Sequence, residues 1–111
     1  MNKRWTFIFK SNGSDPLIHR AELQHPGKVL YVYGVSSNEQ AVSIIKTLDA
    51  EQPQKGECLY IELCGAFTDQ DLNQIIRDTQ VNIPIGVVKY TPEELKKIRP
   101  DQIDTEIAIK E

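Results

Sequence analysis

Cys58-Leu59-Tyr60-Ile61-Glu62-Leu63-Cys64-Gly65-Ala66-Phe67-Thr68 reads as a central strand, a tight glycine turn and the start of a helix. Leu59, Ile61 and Leu63 alternate with Tyr60, Glu62 and Cys64, so the second set shares one face of the strand. A helix over that face would make Glu62 a partly buried acid. Such an acid needs a partner or an upshifted pKa, which marks it as a site candidate. Thr68, with Asp71 three residues on, signals a helix start, and Leu72, Ile75 and Ile76 supply that helix with a narrow apolar stripe.

Upstream, Val29-Leu30-Tyr31-Val32-Tyr33-Gly34-Val35 is a nearly continuous apolar run, the pattern of an interior strand covered on both faces. Ser36 and Ser37 follow as N-cap candidates, and the helix from about Asn38 to Glu51 turns Ala41, Val42, Ile44, Ile45 and Leu48 toward the sheet. Gln52 to Glu57 reads as a polar turn. Arg4 to Lys10 is a first strand, with Trp5, Phe7 and Phe9 on one face and Thr6 and Ile8 on the other. Between these strands, Ser14 or Asp15 is expected to cap a short helix carrying Leu17 to Leu23, closed by His25-Pro26-Gly27. Downstream, Pro84 to Tyr90 is a fourth strand, and Thr91-Pro92-Glu93-Glu94 opens a last helix that Pro100 ends. Thr105 to Lys110 alternates charged and aliphatic residues like a half-buried edge strand, able to pair with this sheet or with a second copy.

Alternation of strand and helix predicts a single α/β domain over residues 1–111, a small layered domain with a mainly parallel sheet of four to five strands. A ferredoxin-like α+β sandwich is the alternative if the first connection is an antiparallel return, because a crossover takes about a dozen residues or more. The chain has 111 residues, 40% hydrophobic and 26% charged, with a net charge of −3. That size can hold a core without metal or disulfide staples. Lys and Arg form no cluster, so neither nucleic acid nor an anionic membrane is expected as a partner. The longest apolar run is too short for a bilayer helix, and the basic start lacks a cleavage pattern, so a cytoplasmic location is expected. Cys58 and Cys64, six residues apart on one strand, would stand ~20 Å apart, beyond the ~7 Å reach of a disulfide. His19 and His25 lack ligand spacing and the common nucleotide and hydrolase signatures are missing, so no metal or cofactor is expected.

In a parallel sheet the strands leave at one edge, where the following loops form the ligand crevice. Those loops, Ser11 to Asp15, Ser36 to Asn38, Gly65 to Thr68 and Tyr90 to Pro92, each open a helix. Helix N-termini favour anions, so a small anionic metabolite is expected there, held by Asp15, Ser36, Ser37, Gly65, Lys89 and Thr91. The plainer account is that Ser and Thr only cap helices. Glu62 as general acid or base, Cys64 as thiolate and His19 as proton carrier would serve a lyase or isomerase type of proton transfer. Against these stand a solvated Glu62, a Cys64 that fills core and an ordinary exposed His19. A competing function is a non-enzymatic interaction module that dimerises through the C-terminal strand. A redox sensor at Cys64 is a third.

The Phe-Ile-Phe strand, Asp15-Pro16 with His19-Arg20, the stretch Ile61 to Phe67 and Gly86-Val87-Val88-Lys89-Tyr90 together resemble a family of small bacterial proteins catalogued as a domain of unknown function. The resemblance covers Arg4 to Tyr90. It implies a small α/β protein and transfers no activity. Ala66 stands where such relatives usually carry a second glycine after Cys-Gly, and the tail from Thr91 differs.

Overall fold

The computed structural model describes residues 3–99. The chain runs β1 (Lys3–Lys10), β2 (Arg20–His25), β3 (Lys28–Val35), α1 (Asn38–Ala50), α2 (Gln52–Lys55), β4 (Cys58–Leu63), α3 (Asp69–Thr79), β5 (Ile85–Val87) and α4 (Pro92–Leu95). The strands form a five-stranded sheet in the order β2-β3-β1-β4-β5. Every neighbouring pair is parallel except β2 with β3. The fold is therefore mixed α/β with a mostly parallel sheet, as the alternation predicts. The expected strand Thr105 to Lys110 lies outside the described residues.

The segment expected to be a helix from Leu17 to Leu23 is instead the edge strand β2. The start signal is real but closes only one turn: the Asp15 carbonyl accepts from the amides of Ile18 and His19, and Asp15 Oδ1 accepts from the amide of Leu17. Pro26-Gly27 is a two-residue hairpin turn, with Gly27 at φ 77°. A type II turn requires positive φ at its third residue and favours proline at its second. The turn then sets Ala21 opposite Val32 and Leu23 opposite Leu30, and backbone pairing with β3 outweighs a short helix. The first connection is thus an antiparallel return, the condition attached to the sandwich alternative, yet it only adds an edge strand to four parallel ones. Two smaller differences follow the local signals: residues 52–55 form the short α2 around Pro53, and β5 narrows to three residues.

Register assigns the faces. Arg4 with Val29, Thr6 with Tyr31 and Ile61, Ile8 with Tyr33 and Leu63, and Lys10 with Val35 share one face. Trp5 with Leu30, Phe7 with Val32 and Glu62, and Phe9 with Gly34 share the other. Ala41, Ile45 and Leu48 of α1 and Ile75 of α3 are buried with Ile8, Val35, Ile61, Leu63 and Phe67 in one cluster, so both long helices cover the first face. The connections β3-α1-β4 and β4-α3-β5 step across the sheet in the same direction, and right-handed crossovers in one direction leave their helices on one side. Each fully buried aliphatic in this cluster contributes about 1.5–3 kcal/mol. No described element lies over the second face, where Trp5, Phe7, Phe9, Leu30 and Val32 remain only half-buried.

Replacing Gly27 with Ala forces an L-residue into left-handed backbone and should cost about 1–2 kcal/mol in urea unfolding. The comparison is Gly86→Ala, where φ is not positive and a Cβ meets nothing within 4 Å. That variant should unfold at the wild-type midpoint or above it.

Candidate functional site

The C-terminal ends of the four parallel strands share an edge, and the residue that dominates it is Lys10, the last of β1. Its side chain is 4% exposed. Nζ donates to Asn38 Oδ1 at 2.9 Å and to Asp71 Oδ2 at 3.1 Å, and stands 4.7 Å from the centroid of the Phe67 ring. Asn38 Nδ2 donates to Asp71 Oδ1 at 2.7 Å. Thr68 and Asp71 complete a capping box: the Thr68 amide donates to Asp71 Oδ2 and the Asp71 amide donates to Thr68 Oγ1. Burial pushes the Asp71 pKa up, but hydrogen bonds from Asn38, the Thr68 backbone and Lys10, together with the Lys10 charge, outweigh it and hold the group at about 2. This network joins β1 to the first turns of α1 and α3 and leaves the Lys10 cation fully matched.

The predicted binding residues serve mainly local roles. Ser37 Oγ accepts from the Gln40 amide, and the Ser36 amide and hydroxyl both donate to Gln40 Oε1. Thr91 Oγ1 accepts from the Glu94 amide, and Lys89 Nζ donates to Asp69 Oδ1 at 2.6 Å. Asp15 holds its own turn, and its amide donates to His19 Nδ1 at 2.9 Å on the surface. Gly65 does not have positive φ, and a Cβ there would meet the Val88 carbonyl oxygen at 3.5 Å, an ordinary contact, so this turn does not require glycine. Cys64 is half-buried at the Lys10 end, its Sγ accepting from the Lys10 amide at 3.3 Å. Cys58 is buried, and burial raises its thiol pKa, which suits core filling rather than reaction.

Glu62 lies on the uncovered face, exposed, in register with Phe7 and Gly86. The condition that would have buried it, a helix over its face, is not met by any described element. Tyr60 and Glu62 from β4 and Pro84, Gly86 and Val88 from the β5 segment border a shallow groove of about 450 Å³, whose floor is open because Gly86 has no side chain. Across the same face Lys28 Nζ stands 5.7 Å from the centroid of the Trp5 ring. Among the described residues no hydrogen bond or ion pair joins Glu62, Cys64 and His19, so the three do not form one catalytic cluster. Among the same residues no group of three or more His, Cys, Asp or Glu is placed to hold a metal ion, and no helix is long and apolar enough to cross a membrane.

Lys10 is the site residue that the pattern of apolar residues passes over. Its signal is parity: it continues the row Arg4, Thr6, Ile8 that points to the helices, and Asp71 sits where α3 begins.

The profile of a family of unknown function, DUF6506, matches residues 3–100, and the chain belongs to that family. No curated protein and no solved structure gives a significant match.

Asp71 is ionised in the folded state far below the usual carboxylate range, so its stabilisation is complete above pH ~4 and is lost as pH falls toward about 2. The depression from 3.8 to about 2 corresponds to roughly 2 kcal/mol. Asp71→Asn should lose at least that much at pH 7, because Lys10 is left buried without a counter-charge, and should flatten the unfolding profile between pH 4 and 2. Chemical denaturation across that range measures both effects.

Proposed function

We propose that this family member is a non-enzymatic interaction module that assembles with a second copy of itself through its open sheet face. The carrying observation is a mostly parallel sheet with an apolar face that no described element covers. All-parallel sheets occur almost only with both faces covered, and four of the five strands here are parallel. The run Val29 to Val35 and the row Trp5, Phe7, Phe9 are apolar enough for burial on the second side. The strands, 8, 6, 8, 6 and 3 residues long, at ~3.3 Å per residue and ~4.8 Å apart, give a face of roughly 500 Å² in projection. That is the scale of a small, concentration-dependent contact, below the ~800 Å² per partner of a standard interface. A second copy is favoured because the face carries charges of both signs, Glu62 and Lys28, and can therefore complement itself.

The edges favour the same route. β2 presents Arg20, Glu22 and Gln24 along its exposed length, and β5 is only three residues long. Charge and shortness both blunt strand-to-strand addition.

A small anionic metabolite at the strand-end edge, with proton transfer by Glu62, Cys64 and His19, is the second reading. The first turns of α1 and α3 meeting at Lys10 support it. It ranks second because Asp71 already neutralises Lys10, Asp69 pairs with Lys89, and Glu62 belongs to the other face.

Sedimentation equilibrium of the whole chain should give a dimer. Phe7→Lys, placing a charge at the centre of the face and away from the helices, should weaken it roughly 100-fold while leaving the circular dichroism unchanged. A wild type that stays monomeric at every concentration would remove the proposal.

A further inference from the structure

Resting on that assembly, we infer that Glu62 of each copy pairs with Lys28 of the other, a reciprocal ion pair that fixes how the two sheets cross. Glu62 is an acid on an apolar face and forms no ion pair among the described residues. Burying it against a second sheet is costly unless a cation and hydrogen bonds meet it. Lys28 is the cation suited to this. It shares Glu62's face by register, and its ammonium rests over the Trp5 ring. Lys3, the neighbouring cation on that face, already faces Glu57 at 3.8 Å.

The positions satisfy two-fold symmetry. Glu62 is level with Val32, since both are in register with Phe7. Lys28 stands four residues before Val32 and two strands away from β4, ~13 Å along the strands and ~10 Å across them. In an isologous contact, if Glu62 meets the second copy's Lys28, then Lys28 meets the second copy's Glu62. The axis that exchanges them lies in the interface, oblique to the strands, so the sheets cross steeply, near the orthogonal class of sheet packing. The midpoint of the vector from Glu62 to Lys28 falls at Trp5, on the strand between them and two residues before Phe7, so the same operation sets the Trp5 side chains of the two copies against each other.

Charge reversal tests the pair: Glu62→Lys, Lys28→Glu and the double variant, each as the full chain, followed by sedimentation equilibrium. Each single reversal should raise the dimer dissociation constant by about 10-fold or more, and the double should return within roughly threefold of wild type. The losses from the single variants should shrink as ionic strength rises. Single variants without effect, or a double variant whose loss is the sum of the two, would overturn the pairing while leaving the face-to-face dimer standing. A monomeric wild type overturns the assembly itself.

Discussion

The helix-facing row of β1 is the constraint on which the rest of the structure depends. Arg4, Thr6, Ile8 and Lys10 are all buried there, so the central strand carries a cation at each end of the core. Arg4 at one end donates through Nε to the Gly56 carbonyl at 3.0 Å and through Nη2 to the Leu48 carbonyl at 3.1 Å, with Glu51 at 3.6 Å. A cation at the C-terminal turn of α1 agrees with the helix dipole. Lys10 at the other end lies by the N-terminal turns of α1 and α3, where the dipole opposes it. Asp71 must therefore sit in the first turn of α3, and Asn38 must bridge it to α1. Hydrophobic burial drives α1 and α3 onto the sheet, and the two cations fix where along the strands they stop.

Once both crossovers are committed to that side, no described element is left to cover the other face. Its packing is lateral: a Cβ at Gly34 would collide with the Phe9 ring, so the ring lies across its parallel neighbour where there is no side chain. Lys28 likewise spreads over Trp5. Such contacts hide part of each aromatic without excluding water from the face. The two faces are thus asymmetric: one is sealed by charge-anchored helices, and among the described residues the other is closed only sideways.

Much of this is legible in the residues. The four parallel strands, the helices α1 and α3 and their caps at Ser37 and Thr68 follow from period and capping chemistry, which are local. β2 is misread because Asp15-Pro16 carries a genuine turn signal, while the pairing that decides the segment is with β3, beyond any local window. Only Pro26-Gly27 announces the hairpin. The site divides the same way. Parity places Glu62 opposite the buried row but cannot tell which row the helices cover; that depends on the direction of both crossovers, a property of strand order. Lys10 is passed over because a lysine at a strand end ordinarily reaches solvent, and its counter-charge lies sixty-one residues later.

A carboxylate in the middle of an apolar face weakens any contact that merely stacks hydrophobic surface on it, because each wrong partner buries Glu62 unpaired. The cost falls on aggregation and on misregistered dimers alike. The correct partner regains it only if a cation arrives at the right distance and crossing angle, and in the proposed assembly Lys28 of the second copy is that cation. Glu62 is then best understood through geometry rather than acid strength. In the proposed assembly its part is to make an apolar contact selective.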